Sequence, residues 1–152
     1  MRLIFILLVL IGCKTYSEVP EGITYEDPYK YEDMFFKDCE KYRRDCSKLV
    51  HFKIKVVNHL AVGWDDSDAG YCEILTDTIY ISLWDWKGAS EELKRTLVYH
   101  ELGHCALLRI FHTEGNILKF GLVCPKSIMG TILPDGEIFT NNEEYYLNEL
   151  FN

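Results

Sequence analysis

The chain has 152 residues, 48% of them hydrophobic and 14% aromatic. That is one domain's length with enough apolar surface for a single core, and it excludes an intrinsically disordered chain. The formal net charge of −8, with no run of basic residues, excludes nucleic acid as the main partner, because phosphate binding needs a basic face.

Arg2 is followed by an apolar run from Leu3 to Ile11 and then by Gly12 and Cys13. A mature membrane helix needs about 20 residues, so this run suits the hydrophobic region of a signal peptide instead. Leu10-Ile11-Gly12-Cys13 resembles a bacterial lipobox. The resemblance implies cleavage before Cys13, lipid on that cysteine, and an exported, membrane-anchored lipoprotein. Its place would be periplasmic or on the outer membrane or cell surface, since Lys14 is not the aspartate that usually retains such proteins on the inner membrane. The expected organisation is a signal peptide over 1–12, a polar tether over 13–28 and one domain over 29–152.

From Tyr29 to Lys48, Tyr31, Phe35, Cys39, Tyr42, Cys46 and Leu49 recur in steps of three and four, which predicts a helix with one apolar face. If that helix is continuous, Cys39 and Cys46 lie about 10 Å apart along its axis and cannot bond to each other, since a disulfide needs Cα atoms within roughly 7 Å. With Cys13 assigned to lipid, five cysteines remain, so at least one thiol is left over within the chain. Val50, Phe52, Ile54 and Val56 alternate with polar residues and predict a half-buried strand up to Val57; His51 and His59 beside it lack a partner at ligand spacing. Gly63 to Gly70, with Asp65, Asp66 and Asp68, reads as a solvated loop without the ligand spacing of a calcium loop. Tyr71 to Leu75 and Ile79 to Trp84 are short β-prone runs and predict a hairpin. Ser90, followed by Glu91 and Glu92, predicts the N-cap of a helix running to about Leu108. Pro134-Asp135-Gly136 reads as a turn, and a closing helix starts near Asn141 to Glu144, with Tyr145, Leu147, Leu150 and Phe151 as its apolar contacts.

The helix after Ser90 carries His100-Glu101-Leu102-Gly103-His104. Residues four apart stand one turn above each other on a helix, so His100 and His104 can offer two imidazole nitrogens to one zinc ion. Glu101 stands where its carboxylate can reach water at the metal without being a ligand, as in the H-E-x-x-H pattern of zinc hydrolases. Cys105 projects about 100° round the helix from His104 and is no ligand. A catalytic zinc needs a third protein ligand, and the candidates are His112, Asp135, Glu137, Glu143 and Glu144. On a continuous helix His112 would lie about 12 Å beyond His104, so it can join only if the chain breaks near Leu108 to Arg109 and turns back.

Together, His100-Glu101-Leu102-Gly103-His104-Cys105, the later His112 and Ser127-Ile128-Met129 resemble metzincin-type zinc metallopeptidases, most closely small bacterial and phage lipoproteins with the same elements. The likeness spans roughly residues 79 to 151. It implies an α+β, zincin-like fold: a small mixed sheet with an N-terminal helix, an active-site helix, a Met-turn and a C-terminal helix. It also implies His112 as third ligand, Met129 as the methionine of an apolar floor beneath the metal, a Cys105–Cys124 disulfide joining helix to floor, and the strand around Ile79 to Leu83 as the edge that receives an extended substrate. Three positions depart from the family. Leu107 and Ile110 stand where metzincins usually have the turning glycine and the third histidine, and Thr131 stands where some carry a tyrosine.

The function these residues imply is an exported, lipid-anchored zinc endopeptidase acting on a peptide or protein, with Glu101 as general base and one zinc ion. Two other readings stay open. One is a non-catalytic zinc lipoprotein that binds a protein or envelope partner; the other is a hydrolase whose third ligand is a downstream glutamate.

Overall fold

The computed structural model describes residues 14–42, 45–46, 49–62, 69–119 and 121–152. The segment 1–12 expected to be a signal peptide, Cys13 and the acidic stretch Asp65 to Asp68 lie outside the described residues. Among those described, no helix is long and apolar enough to cross a membrane.

The chain is mixed α+β, with five α-helices and three small sheets among the described residues. Strand β1 (Lys14–Ser17) falls in the segment read as a tether and pairs antiparallel with β3 (His59–Val62). The rest of that segment also contacts the domain: the Glu26 carbonyl accepts the Trp86 indole N–H at 2.9 Å.

Helix α1 covers Tyr29–Lys41, shorter than its stripe predicts. Tyr31, Phe35 and Cys39 are buried as the periodicity requires. Beyond Lys41 tertiary contacts override the pattern. The Tyr42 ring stacks on Phe151, and Cys46 returns to bond Cys39 with Cα atoms 6.1 Å apart. The expectation that these two cysteines cannot pair is therefore overturned: it assumed a continuous helix, and the helix stops five residues before Cys46.

The main sheet has the order β2 (Lys53–Val57), β5 (Thr78–Ser82), β4 (Gly70–Glu73). β2 runs parallel to β5, and β4 is antiparallel to it, completing the expected hairpin through a 3₁₀ turn at Ile74–Thr76. Every residue of β5 is buried, as suits a strand flanked on both sides. The strand around Ile79 to Leu83 is thus the centre of the sheet and not its edge. The outer positions belong to β2 and to β4, and β4 is the one beside α3, its Gly70 to Glu73 paired with Thr78 to Ile81.

A short helix α2 (Leu83–Gly88) leads to the long helix α3 (Glu91–Cys105). The Ser90 hydroxyl accepts the Leu93 N–H at 3.2 Å, the cap its position predicts. α3 forms the middle of the core: Phe35 of α1 meets Tyr99 edge-on at 5.2 Å, and the Tyr99 hydroxyl donates to Asp38 at 2.6 Å. After α3 come a hairpin of β6 (Asn116–Lys119) and β7 (Leu122–Pro125), then α4 (Gly136–Asn141) and α5 (Glu143–Phe151). Tyr146, Leu147, Leu150 and Phe151 bury the inner face of α5.

A second disulfide joins Cys72 of β4 to Cys105 at the end of α3, with Cα atoms 5.7 Å apart. This corrects the expected Cys105–Cys124 bridge. Cys105 faces β4, while Cys124 in β7 is the free, buried thiol left over among the described residues.

A three-histidine candidate metal centre

The site begins where α3 ends. Cys105 is its last residue, and Leu108 takes up a left-handed conformation at φ 55. That turn costs a non-glycine residue roughly 1–2 kcal/mol, yet it reverses the chain sharply enough that the Arg109 N–H reaches back to the Gly103 carbonyl at 3.0 Å. The break required for His112 to approach His104 is therefore present, and a leucine makes it.

Three imidazoles converge as a result. His104 Nε2 lies 3.0 Å from His100 Nε2 and 3.2 Å from His112 Nε2. Four tetrahedral ligands held about 2.0–2.1 Å from zinc stand about 3.3 Å from one another, close to these separations. The proton positions fit as well. His100 Nδ1 lies 2.7 Å from the Ile128 carbonyl, and His104 Nδ1 lies 2.6 Å from the Arg109 carbonyl. A carbonyl only accepts, so both Nδ1 atoms carry the hydrogen, and each neutral ring turns a bare Nε2 lone pair inward. Burial, the leading cause, pushes the His100 pKa down to about 4 and lowers that of His104, while the carbonyl bonds act the other way. Near neutral pH both rings are uncharged. Converging lone pairs repel one another unless a cation sits among them, so this donor set fits a metal ion, and His100, His104 and His112 form a group able to hold one.

Glu101 is 3% exposed and lines the same cleft, about 660 Å³ in volume, as the three histidines. Gly70 and Tyr71 of β4 form one wall, and Thr131 and Leu133 line it elsewhere. Gly70 is required for close approach: a methyl built there would stand 2.5 Å from Glu101 Oε1. Thr131 is tied to the wall by its N–H and hydroxyl, which donate to the Glu114 carboxylate at 3.2 and 3.1 Å.

Met129 is fully buried beneath α3, so close to Gly103 that a Cβ there would come within 2.2 Å of its Sδ. Its N–H donates to the Ser127 hydroxyl at 2.9 Å, and its carbonyl accepts the Thr113 N–H at 2.7 Å, tying this loop to the residue after His112. Two of the acidic alternatives for the third ligand have other partners. Asp135 caps α4 through the Ile138 N–H at 2.8 Å, and Glu143 pairs with Arg95 at 2.8 Å. Glu137 and Glu144 are not in the histidine group. His51, away from the site, pairs with Glu32 at 2.9 Å.

Gly70, Arg109 and Glu149 carry no motif and were not legible as part of a site. Gly103 did leave a signal, because glycine inside a helix costs about 1 kcal/mol and so marks a packing demand.

Comparison with family models, with characterised proteins and with solved structures gives no match to this chain. The likeness to metzincins rests on the motif residues themselves.

Proposed function

We propose that the protein is an exported, lipid-anchored zinc metallopeptidase that hydrolyses peptide bonds within a metzincin-like domain. The observation that carries this reading is the convergence of three imidazole Nε2 atoms beside the buried Glu101 carboxylate in an open cleft. His100, His104 and His112 would hold the ion, and Met129 would be its apolar floor. Zinc bound there supplies Lewis acidity, which polarises a carbonyl and brings the pKa of water close to 7.

The chain's own residues do the rest. The Glu101 carboxylate takes a proton from the attacking water, whose oxygen adds to the scissile carbonyl carbon. The proton then passes to the leaving amine as the C–N bond breaks, and Glu101 is returned as the carboxylate. The outer edge of β4 supports an extended peptide laid beside the sheet through backbone hydrogen bonds. The Cys72–Cys105 bond keeps that strand at a fixed distance from the histidine-bearing helix.

Glu101→Gln separates binding from chemistry. The variant is expected to hold one zinc per chain and to cleave no peptide in a mixed library that the wild type digests. Cleavage at the wild-type rate would refute the mechanism. A non-catalytic zinc lipoprotein would instead show four protein ligands around the ion, which X-ray absorption at the zinc edge would count.

A further inference from the structure

We propose that Glu149, in the last turn of α5, is a positioning residue for the metal centre, acting through Arg109 and Ser127 on the backbone carbonyls that orient His104 and His100. The inference rests on the reading of the three histidines as zinc ligands.

Both oxygens of the Glu149 carboxylate are engaged. Oε1 accepts from Arg109 Nη2 at 2.6 Å, and Oε2 accepts from the Ser127 hydroxyl at 2.5 Å. Arg109 is the residue whose carbonyl receives His104 Nδ1–H, and Ile128, whose carbonyl receives His100 Nδ1–H, follows Ser127 directly. The fully buried Ser127 hydroxyl has one hydrogen, which the carboxylate takes, leaving a lone pair for the Met129 N–H. The residue that follows the third histidine is tied to the same group, since Arg109 Nη2 lies 3.4 Å from Thr113 Oγ1 and the Thr113 N–H donates to the Met129 carbonyl. One carboxylate thereby joins the post-helix turn to the Met129 loop.

The charge is poorly placed for its own helix. A carboxylate in the last turn faces the negative end of the helix dipole. Arg109 offsets this by donating also to the carbonyls of Glu149 and Leu150, at 3.0 and 3.3 Å. A local cost met by a partner 40 residues away points to a role beyond α5. Outer partners of metal-bound histidines set ring orientation and tautomer, and losing one typically weakens metal affinity 10–100-fold.

The test measures zinc affinity by chelator competition and the visible spectrum of the cobalt(II)-loaded protein, for the wild type, Glu149→Gln and Tyr146→Phe. The last is a control on the same helix: it removes the Tyr146 hydroxyl bond to the Pro125 carbonyl, 2.8 Å long, and touches neither histidine acceptor. Glu149→Gln should lose roughly 10–100-fold in zinc affinity and shift the cobalt bands, while Tyr146→Phe stays within about threefold of wild type. If Glu149→Gln binds zinc as the wild type does, or if Tyr146→Phe loses as much, the proposal is overturned. Should Glu149→Gln fail to fold, Ser127→Ala carries the test by cutting the arm to His100 together with the Met129 N–H bond to the same hydroxyl, and unchanged affinity there overturns it equally. A wild-type protein that binds no zinc would overturn the parent reading, whereas one that binds zinc with an unaffected Glu149→Gln overturns this inference alone.

Discussion

Gly103→Ala is the sharpest probe of how the site is built, because local and tertiary effects have opposite signs. In a helix interior the substitution ordinarily stabilises by about 1 kcal/mol. Here the new Cβ would stand 2.2 Å from Met129 Sδ, 3.0 Å from its Cε and 3.4 Å from Leu150 Cδ1. Ordinary contact needs about 3.5–4.0 Å, so the sulfur must retreat by roughly 1.5 Å. Met129 and Leu150 are both fully buried and leave little room for that. Overpacking costs about 1–3 kcal/mol, and so large a retreat at a filled site belongs in the upper part of that range, about 2–3 kcal/mol, which leaves about 1–2 kcal/mol net after the helix gain. For a domain of this size that lowers Tm by about 2–8 °C. The assay is thermal unfolding followed by circular dichroism with chelator present, so that metal binding does not enter. In a Met129→Ala background, itself destabilised by about 2–5 kcal/mol, the obstacle is gone and Gly103→Ala should turn stabilising. A Gly103→Ala protein as stable as wild type, or one whose effect keeps its sign without the Met129 side chain, would refute the packing argument.

Three further outcomes are expected. His112→Ala should weaken zinc affinity by more than the roughly 100-fold that loss of an outer partner causes, and tight binding retained in a zinc titration would move the third ligand elsewhere. Replacing Cys72 and Cys105 by serine opens a 33-residue separation and should cost about 4 kcal/mol, against about 2 kcal/mol for Cys39 and Cys46 with a separation of 7, so denaturant midpoints should fall further for the first pair. The hydrogen bond to Glu32, then that residue's charge, raises the pKa of His51 above 6.5. The bond's extra stability is therefore complete below about pH 6.5 and lost as pH rises through the raised value. The Tm gap between wild type and His51→Gln should accordingly be wider near pH 5.5 than near pH 8.5, and a gap that is constant or widens with pH would show that the pair contributes no charge-linked stability.

Much of the scaffold was legible because it follows from local rules. Ser90 with Glu91 and Glu92 announced the start of α3, and apolar alternation marked Ile54 and Val56 as buried strand residues, although β2 starts only at Lys53 and Val50 is exposed. The spacing of His100 and His104 put two imidazoles on one face. It also set a demand, a chain reversal near Leu108, that the structure meets with a left-handed leucine. What failed was long-range partnership. The stripe of α1 continued past Lys41 on paper, but Tyr42 packs on Phe151 and Cys46 returns to Cys39, so a pairing excluded on helical geometry forms. Cys105 was matched to Cys124 by likeness to a family, whereas β4 brings Cys72 to it.

The sequence by itself determined the elements with a local period and the chemical identity of the site: two histidines one turn apart, a carboxylate beside the first, and a further histidine able to join them. Tertiary structure alone decided which strand is central, which cysteines meet, and which carbonyls hold the imidazole rings. The physical reason is that periodicity and capping depend on residues within a turn of one another, whereas Glu149 meets Arg109 and Ser127, and Gly103 meets Met129, only after the helices have packed. Within the His100 to His104 stretch the motif specified the donors, and the packed chain specified their orientation.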